Sequence, residues 1–210
     1  MKVGFIGLGN AGGKLAGSIL RNGFDLTVHD LNSSLVNEFI ERGAKSVGSP
    51  QEMAKKCDVV ITCLPSPKAC SEVMESSDGI LSGLSKGKIW LEMSTTDEAE
   101  IRRIGALVEA VGALPIDCPV SGGCHRADTG NISIFAGCTR VAFEKALPIL
   151  TTMGRRVLHT GSLGTASTLK VMTNYLATVN LASIAEALTT MKKLGMDMNV
   201  TYEAIKASSG

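Results

Sequence analysis

Lys2-Val3-Gly4-Phe5-Ile6-Gly7-Leu8-Gly9-Asn10-Ala11-Gly12 is an apolar run that breaks into Gly7-x-Gly9-x-x-Gly12. The segment from Lys14 to Arg21 then carries Leu15, Ile19 and Leu20 at helical spacing, so the stretch reads as strand, tight turn and helix. The three glycines have separate mechanical uses in that frame. Gly7 makes the turn, Gly9 admits a pyrophosphate to the backbone, and Gly12 lets the helix lie close to the strand. Leu8, Asn10 and Ala11 complete the loop, and the helix N-terminus behind it offers N–H groups and partial positive charge to phosphates. Glycine spacing alone also suits an ordinary turn, and the next strand adds weight to the first alternative. Phe24-Asp25-Leu26-Thr27-Val28-His29-Asp30 alternates and ends on an acid about 20 residues along, the distance expected of a group that binds an adenosine ribose 2'-hydroxyl. Asp30, with Leu31 beside it, would accept from that hydroxyl and repel a 2'-phosphate, which favours NAD over NADP. The other use for Asp30 is as a cap for the helix starting near Ser33.

Beyond this unit, strands and helices alternate. A helix is expected from Ser33 to Arg42, a short strand from Ala44 to Val47, and a helix start at Ser49-Pro50-Gln51-Glu52, serine as cap and proline at the first helical position. Cys57 to Pro65 is a β-branched run suited to a fully buried strand, and Leu64 and Pro65 at its carboxyl end are candidate cofactor walls. The strand Lys88 to Met93 delivers Ser94-Thr95-Thr96 ahead of an acidic helix start at Asp97-Glu98, so these hydroxyls are either caps or cofactor contacts. Leu114-Pro115-Ile116-Asp117 leads to Cys118-Pro119-Val120-Ser121-Gly122-Gly123, where a serine and two glycines form either a plain turn or a nest of N–H groups that holds a carboxylate. Strands over Asn131 to Gly137 and Arg155 to Thr160, with a helix from Val141 to Thr152 between them, complete the pattern of a Rossmann-type, doubly wound, mostly parallel α/β sheet.

From Thr165 the texture changes. Ala166 to Leu194 has no proline or glycine and carries Leu169, Met172, Leu176, Val179, Ala187 and Met191 at helical spacing. Val171, Tyr175, Leu181, Ile184 and Leu188 widen the apolar stripe, so this helix of about 43 Å is expected to be covered on several sides. Gly195 stops it, and a second helix is expected from near Asn199 to about Ala207. Residues 1–163 are therefore expected to form a dinucleotide-binding domain, and residues 164–210 a long interdomain helix and the beginning of an all-helical domain.

Composition narrows the function classes. Across 210 residues, 44% hydrophobic and 4% aromatic content with 23 glycines suits an aliphatic parallel sheet, and a net charge of +1 gives no electrostatic case for nucleic acid. Six scattered cysteines with no C-x-x-C pair are expected to be small buried hydrophobes in a reducing compartment. A first strand at residue 2 leaves no room for a presequence, and no apolar run approaches the length of a membrane span, so a cytoplasmic protein is expected. Cys118, Cys124 and His125 match no common zinc pattern, no metal is expected, and there is no G-x-S-x-G. Lys170, with Asn174 one turn later, either snorkels to solvent or sits in a cleft where desolvation lowers its pKa. A lysine of the second kind is what a metal-free alcohol dehydrogenase needs as general acid and base.

Taken in order, these features resemble the β-hydroxyacid dehydrogenase family. Phe5 to Gly12 looks like the family's cofactor motif, Asp117 to Gly123 like its substrate motif, and Gly164 to Asn174 like its catalytic motif Gly-x-Gly-x-x-x-Lys-x-x-x-Asn. The resemblance implies that Lys170 is the catalytic acid-base, that Ser121, Gly122 and Gly123 hold the substrate carboxylate, and that Asn174 orients the substrate. It also implies that Leu64, Pro65 and Thr95 contact the dinucleotide. The activity it implies is NAD-dependent oxidation of a 3-hydroxy acid to its semialdehyde by a homo-oligomer joined through the long helix; reduction of a semialdehyde such as tartronate semialdehyde, or binding without turnover, are the alternatives. Ala11 stands where methionine is usual, and Ala166 replaces the second glycine of the catalytic motif. Cys124-His125-Arg126 replaces small residues, and Arg126 is a candidate partner for a second carboxylate or phosphate on the substrate. Family members run on through a larger helical domain, so a truncated chain is expected.

Overall fold

The computed structural model describes residues 1–208 and divides into two compact units, Met1–Lys170 and Val171–Gly210. The first unit alternates strands and helices in the order β1 (Lys2–Ile6), α1 (Gly12–Arg21), β2 (Asp25–His29), α2 (Ser33–Glu41), β3 (Lys45–Ser46), α3 (Pro50–Lys56), β4 (Val59–Thr62) and α4 (Pro67–Glu75). It continues through β5 (Ile89–Glu92), α5 (Glu98–Ala110), β6 (Leu114–Asp117), β7 (Val120–Ser121), α6 (Cys124–Asp128), β8 (Ile132–Gly137), α7 (Arg140–Met153) and β9 (Gly154–Gly161) into α8 (Thr165–Lys193). The sheet order is β3-β2-β1-β4-β5-β6-β8-β7, with β9 on β8. The strands from β3 to β6 are parallel to their neighbours, β8 runs antiparallel to β6 and β7, and β9 is parallel to β8. The order reverses between β1 and β4, which puts a crevice at their carboxyl ends.

Side-chain alternation builds a core on each face. Val3 and Phe5 of β1, Val59 and Ile61 of β4, and Ile89 and Leu91 of β5 point to one side, against Leu15 and Ile19 of α1 and Ile149 and Leu150 of α7. Ile6, Val60 and Trp90 point to the other, against Met53 of α3, Met74 of α4 and Ile101 and Ile104 of α5. The long apolar runs of the central strands have this cause: covered on both faces, they have no polar side.

Helix starts follow the local chemistry. Ser49 Oγ accepts from Glu52 N at 3.2 Å ahead of Pro50, and Ser66 Oγ accepts from Ala69 N at 3.2 Å ahead of Pro67. The second of these opens α4, a helix absent from the sequence-based expectation although Ser66-Pro67 repeats the Ser49-Pro50 signature. β7 and α6 are likewise added. The cap of α2 is Asn32, whose side chain accepts from Ser34 N at 3.0 Å, and the cap of α5 is Asp97, which accepts from Ala99 N at 2.7 Å. Asp30 and the hydroxyls of Ser94 and Thr95 therefore do not have those jobs. In the second unit Gly195, at φ +77°, ends α8, and Asp197 caps α9 (Met198–Ala207). Tyr175, Leu181 and Ile184 of that unit are each more than half exposed, so the apolar stripe expected to be covered is open along these residues. Among the described residues no helix is long and apolar enough to cross a membrane.

A row of polar side chains crosses the carboxyl ends of the central strands, Thr62 pairing with Glu92 and Glu92 with Asp117 in the sheet register. Glu92 is fully buried. Its Oε2 accepts from Thr62 Oγ1 at 2.7 Å and Cys70 Sγ at 2.7 Å, and its Oε1 accepts from Ser94 N at 2.7 Å, while Trp90 Nε1 donates to Thr62 Oγ1 at 2.9 Å. Burial pushes the Glu92 carboxyl above the usual carboxylate range, against the pull of Cys70, Ser94 and Thr62. A carboxyl raised in the folded state keeps its proton after the unfolded chain has lost it, so its contribution is full below the unfolded value and is lost as pH rises through the folded one. Denaturant titrations at a series of pH values are expected to show stability falling across that window relative to Glu92→Gln, in which the window is absent.

Candidate active site

The glycine loop is built by backbone contact. Gly7, at φ +95°, donates its N–H to His29 O at 3.1 Å, and a Cβ at Gly7 would lie 2.2 Å from Cys63 O. A Cβ at Gly12 would lie 1.9 Å from Gly7 O, so α1 reaches β1 only because residue 12 has no side chain. Gly9 differs: a Cβ there would meet nothing within 4 Å. The position is exposed, and the space over it is what the pyrophosphate of a dinucleotide requires. Ala11 precedes α1 without a side-chain cap, and the first turn of α1 carries no acid, so its positive end is left to an anion. These residues fit a dinucleotide.

Asp30 closes the loop from the neighbouring strand. Its Oδ2 accepts from Leu8 N at 2.6 Å and its Oδ1 from Asn32 N at 2.8 Å, and each oxygen retains a lone pair for a further donor. Leu31 beside it is 100% exposed. At the next carboxyl ends, Leu64 is half-buried and donates its N–H to Ser94 Oγ at 2.7 Å, which ties the loop after β4 to the loop after β5. Pro65 and Thr95 are exposed on those two loops, and Thr96 Oγ1 is buried with no hydrogen-bond partner among the described residues. The residues expected to meet cofactor thus follow the carboxyl ends of strands β1, β2, β4 and β5, which are neighbours in the sheet.

The expected substrate residues follow β6. Ser121 is half-buried in β7, paired with Ser133 of β8, and Gly122 and Gly123 adopt φ of +128° and +84° before α6. Two successive positive-φ residues give this segment a backbone conformation that side-chain-bearing residues resist. The Arg126 side chain crosses Gly122, with Cδ 3.1 Å from where a Cβ would stand. Lys170 lies on α8, half-buried, and burial lowers its pKa from the usual lysine range. Asn174 is exposed four residues further along the same helix.

Asp117, the last residue of β6, belongs to the substrate motif by sequence, and its carboxyl reaches across to α8. It is fully buried, and its Oδ2 accepts from Ser167 N at 2.7 Å and its Oδ1 from Ser167 Oγ at 2.6 Å. Burial raises its carboxyl above the usual carboxylate range, against the opposing pull of the Ser167 hydroxyl and backbone N–H. A sequence offers little warning of this, since the partners are 50 residues apart. Among the described residues no three His, Cys, Asp or Glu side chains converge as a metal site.

The different surroundings of the three motif glycines separate folding from binding. Gly12→Ala is expected to destabilise the domain by a few kcal/mol in thermal or denaturant unfolding, because backbone must move. Gly9→Ala is expected to leave stability within about 0.5 kcal/mol of the parent and to weaken NADH binding in a fluorescence titration by about tenfold or more, because its methyl occupies the space above the loop.

Comparison with known proteins agrees with this architecture. Residues 2–161 match the family described as the NAD binding domain of 6-phosphogluconate dehydrogenase, and residues 164–210 match the NAD-binding region of NADP-dependent 3-hydroxyisobutyrate dehydrogenase. The mitochondrial 3-hydroxyisobutyrate dehydrogenase of Mus musculus is 35% identical over 99% of this chain, and the 2-(hydroxymethyl)glutarate dehydrogenase of Eubacterium barkeri is 32% identical over 100% of it. The chain spans 62% of the length of the first and 70% of the second. Among solved structures, the 3-hydroxyisobutyrate dehydrogenase of Mycobacterium tuberculosis with L-serine superimposes with a TM-score of 0.92 at 26% identity, covering 100% of this chain and 71% of that one. The chain belongs to the family of the NAD binding domain of 6-phosphogluconate dehydrogenase, among the β-hydroxyacid dehydrogenases.

Proposed function

We propose that this chain moves hydride between NAD and a 3-hydroxy carboxylic acid of the 3-hydroxyisobutyrate type, with Lys170 as general acid-base. The observation that carries the proposal is the half-buried Lys170 amine, its pKa lowered by desolvation, on a helix whose first turn is bonded to the strand preceding the substrate motif. An amine so placed takes the hydroxyl proton at Nζ as the carbinol carbon is oxidised and returns it to the carbonyl oxygen in the reverse direction. The dinucleotide, when bound, supplies the hydride acceptor or donor. Gly7, Leu8, Gly9, Asn10, Ala11 and Gly12 would hold its pyrophosphate, Asp30 and Leu31 its adenosine, and Leu64, Pro65 and Thr95 its nicotinamide end. Ser121, Gly122 and Gly123 would bind the substrate carboxylate, and Asn174 keeps the orienting role its motif implies.

NAD is preferred over NADP in this proposal because the Asp30 carboxylate, already drawn in by Leu8 N, would repel a 2'-phosphate. Burial pushes the thiols of Cys57, Cys63, Cys70, Cys118 and Cys138 up, Cys63 to about 12, which suits inert side chains in a reducing compartment such as the cytoplasm. The exposed apolar residues of α8, Leu181 and Ile184 among them, support a homo-oligomer formed through that helix.

A second substrate class has its own support. Arg126 lies across Gly122, and a relative with 32% identity is named for 2-(hydroxymethyl)glutarate, a hydroxy acid with two carboxylates. A guanidinium in that position suits a second anionic group on the substrate.

Steady-state assays over a panel of 3-hydroxy acids test both. Lys170→Ala is expected to lower kcat by about 10²- to 10⁴-fold while NADH affinity stays within about twofold, and NADP is expected to serve poorly beside NAD. Loss of NADH binding in Lys170→Ala, or undiminished turnover, would reject the acid-base role. Arg126→Ala is expected to raise KM for dicarboxylates about tenfold or more and to leave monocarboxylates unchanged, in line with the strength of a charge-assisted bond.

A further inference from the structure

We propose that Asp117 is the positioning residue of the site: its carboxylate bonds the start of α8 to the end of β6, and so sets Lys170 against the substrate loop. The inference rests on the acid-base role proposed for Lys170. Three observations carry it.

The first is where the bonds go. The opening turn of α8 has backbone N–H groups that no residue four back can accept from. Thr165 N donates to Ser162 O at 3.2 Å and Thr168 N to Gly164 O at 3.1 Å. Of the amides between these two, Ser167 N turns to Asp117 Oδ2 at 2.7 Å, and the Ser167 hydroxyl donates to Asp117 Oδ1 at 2.6 Å. Each carboxyl oxygen of Asp117 thus accepts one bond from the same residue of the opening turn. Most helices are capped by a residue of the segment just before them, which fixes the helix only to its own approach. Here the cap comes from 50 residues away and fixes the helix to the sheet.

The second is the placement of the two ends. Asp117 is followed at once by Cys118-Pro119 and then by Val120-Ser121-Gly122-Gly123, so its main chain begins the substrate loop. Cys118 N donates to Glu92 O at 2.7 Å, and Phe135 N to Pro119 O at 3.1 Å, so the start of that loop is held to the sheet on both sides. At the other end, Ser167 and Lys170 are three residues apart on α8 and share a face. Ser167 is 1% exposed and Lys170 is half-buried, so the face runs from the anchor outward to the amine.

The third is the fit around the anchor, which leaves no slack for a substitute. A Cβ on Gly137, the sheet partner of Asp117, would lie 2.8 Å from Ser162 O and 3.1 Å from Ala166 N. One on Gly164, at φ +90°, would lie 2.9 Å from Glu98 Cγ. The helix start is thus pressed onto the strand ends where only glycine admits it, and the carboxylate of Asp117 supplies the directional bonds. An apolar side chain in its place leaves the Ser167 amide and hydroxyl without their acceptor.

The experiment compares the full-length chain with Asp117→Ala, Asp117→Asn and Ser167→Ala by two readouts, one independent of turnover. In amide hydrogen exchange, Asp117→Ala is expected to lose protection over residues 164–170 by about 10-fold or more, with strands β1 and β4 unchanged, and Asp117→Asn to fall between it and the parent because one carbonyl acceptor remains. In steady-state kinetics with NAD and the best hydroxy acid, kcat is expected to fall by about 10²-fold, the cost of a misplacement near 1 Å, while the NADH dissociation constant stays within about twofold. Unchanged exchange over residues 164–170 in a folded Asp117→Ala protein overturns the proposal, as does a fall in kcat matched by the same fall in NADH affinity. Should Asp117→Ala fail to fold, Ser167→Ala decides, with a several-fold selective loss of kcat supporting the proposal and a parental kcat rejecting it. Absence of turnover in the parent with every hydroxy acid defeats the acid-base role of Lys170 instead, a result separate from the exchange comparison.

Discussion

The contact on which this domain turns is one backbone against another: the Cα of Gly12 sits so close to Gly7 that a methyl group would lie 1.9 Å from the Gly7 carbonyl oxygen. Helix α1 therefore starts hard against the end of β1. Its side chains Leu15, Ala16 and Ile19 reach full burial against Val3, Phe5 and Val28 on that account. The same approach aims the positive end of α1 over the strand ends and leaves the space above Gly9 open. Packing and binding are two results of one steric constraint, and substitutions in the loop divide according to which result they touch.

A second layer of constraint is electrostatic and lies just below the first. Three polar side chains, Thr62, Glu92 and Asp117, occupy paired positions at the carboxyl ends of adjacent strands, where purely apolar packing would be expected of a sheet covered on both faces. Thr62 spends its bonds within the sheet, on Trp90 and Glu92, while the two acids also reach beyond it. Glu92 holds Ser94, whose hydroxyl takes the N–H of Leu64, and Asp117 holds the start of α8. Buried polar groups that are fully bonded fix geometry at little net gain in stability. Their position at the crevice, and not in the middle of the sheet, is where fixed geometry serves binding.

Much of the architecture was legible because its signals are local. Glycine spacing, β-branched runs and serine-proline helix starts act within a few residues, so β1 through β6 and the long α8 could be read directly. The helix α4 escaped notice although Ser66 and Pro67 carry the same signal as Ser49 and Pro50. Where two uses competed for one residue, local pattern did not separate them. Asp30 and Asn32 are both sound helix caps by type, and the coordinates give the cap to Asn32 while Asp30 turns to Leu8 N. Thr95 and Asp97 pose the same choice, and Asp97 caps α5.

By itself the sequence determined most of the alternation of strands and helices, the glycine loop with its bias toward a dinucleotide, and the order of the three motifs, because each depends on near neighbours along the chain. Only the tertiary structure decided that β8 runs against β6, that Glu92 is sealed among Thr62, Cys70 and Ser94, and that Asp117 carries the first turn of α8. Apart from the Ser94 bond, which is local, these pairings join residues that lie 20 to 50 positions apart. No local propensity encodes such a pairing; it exists once the sheet has brought the strand ends together.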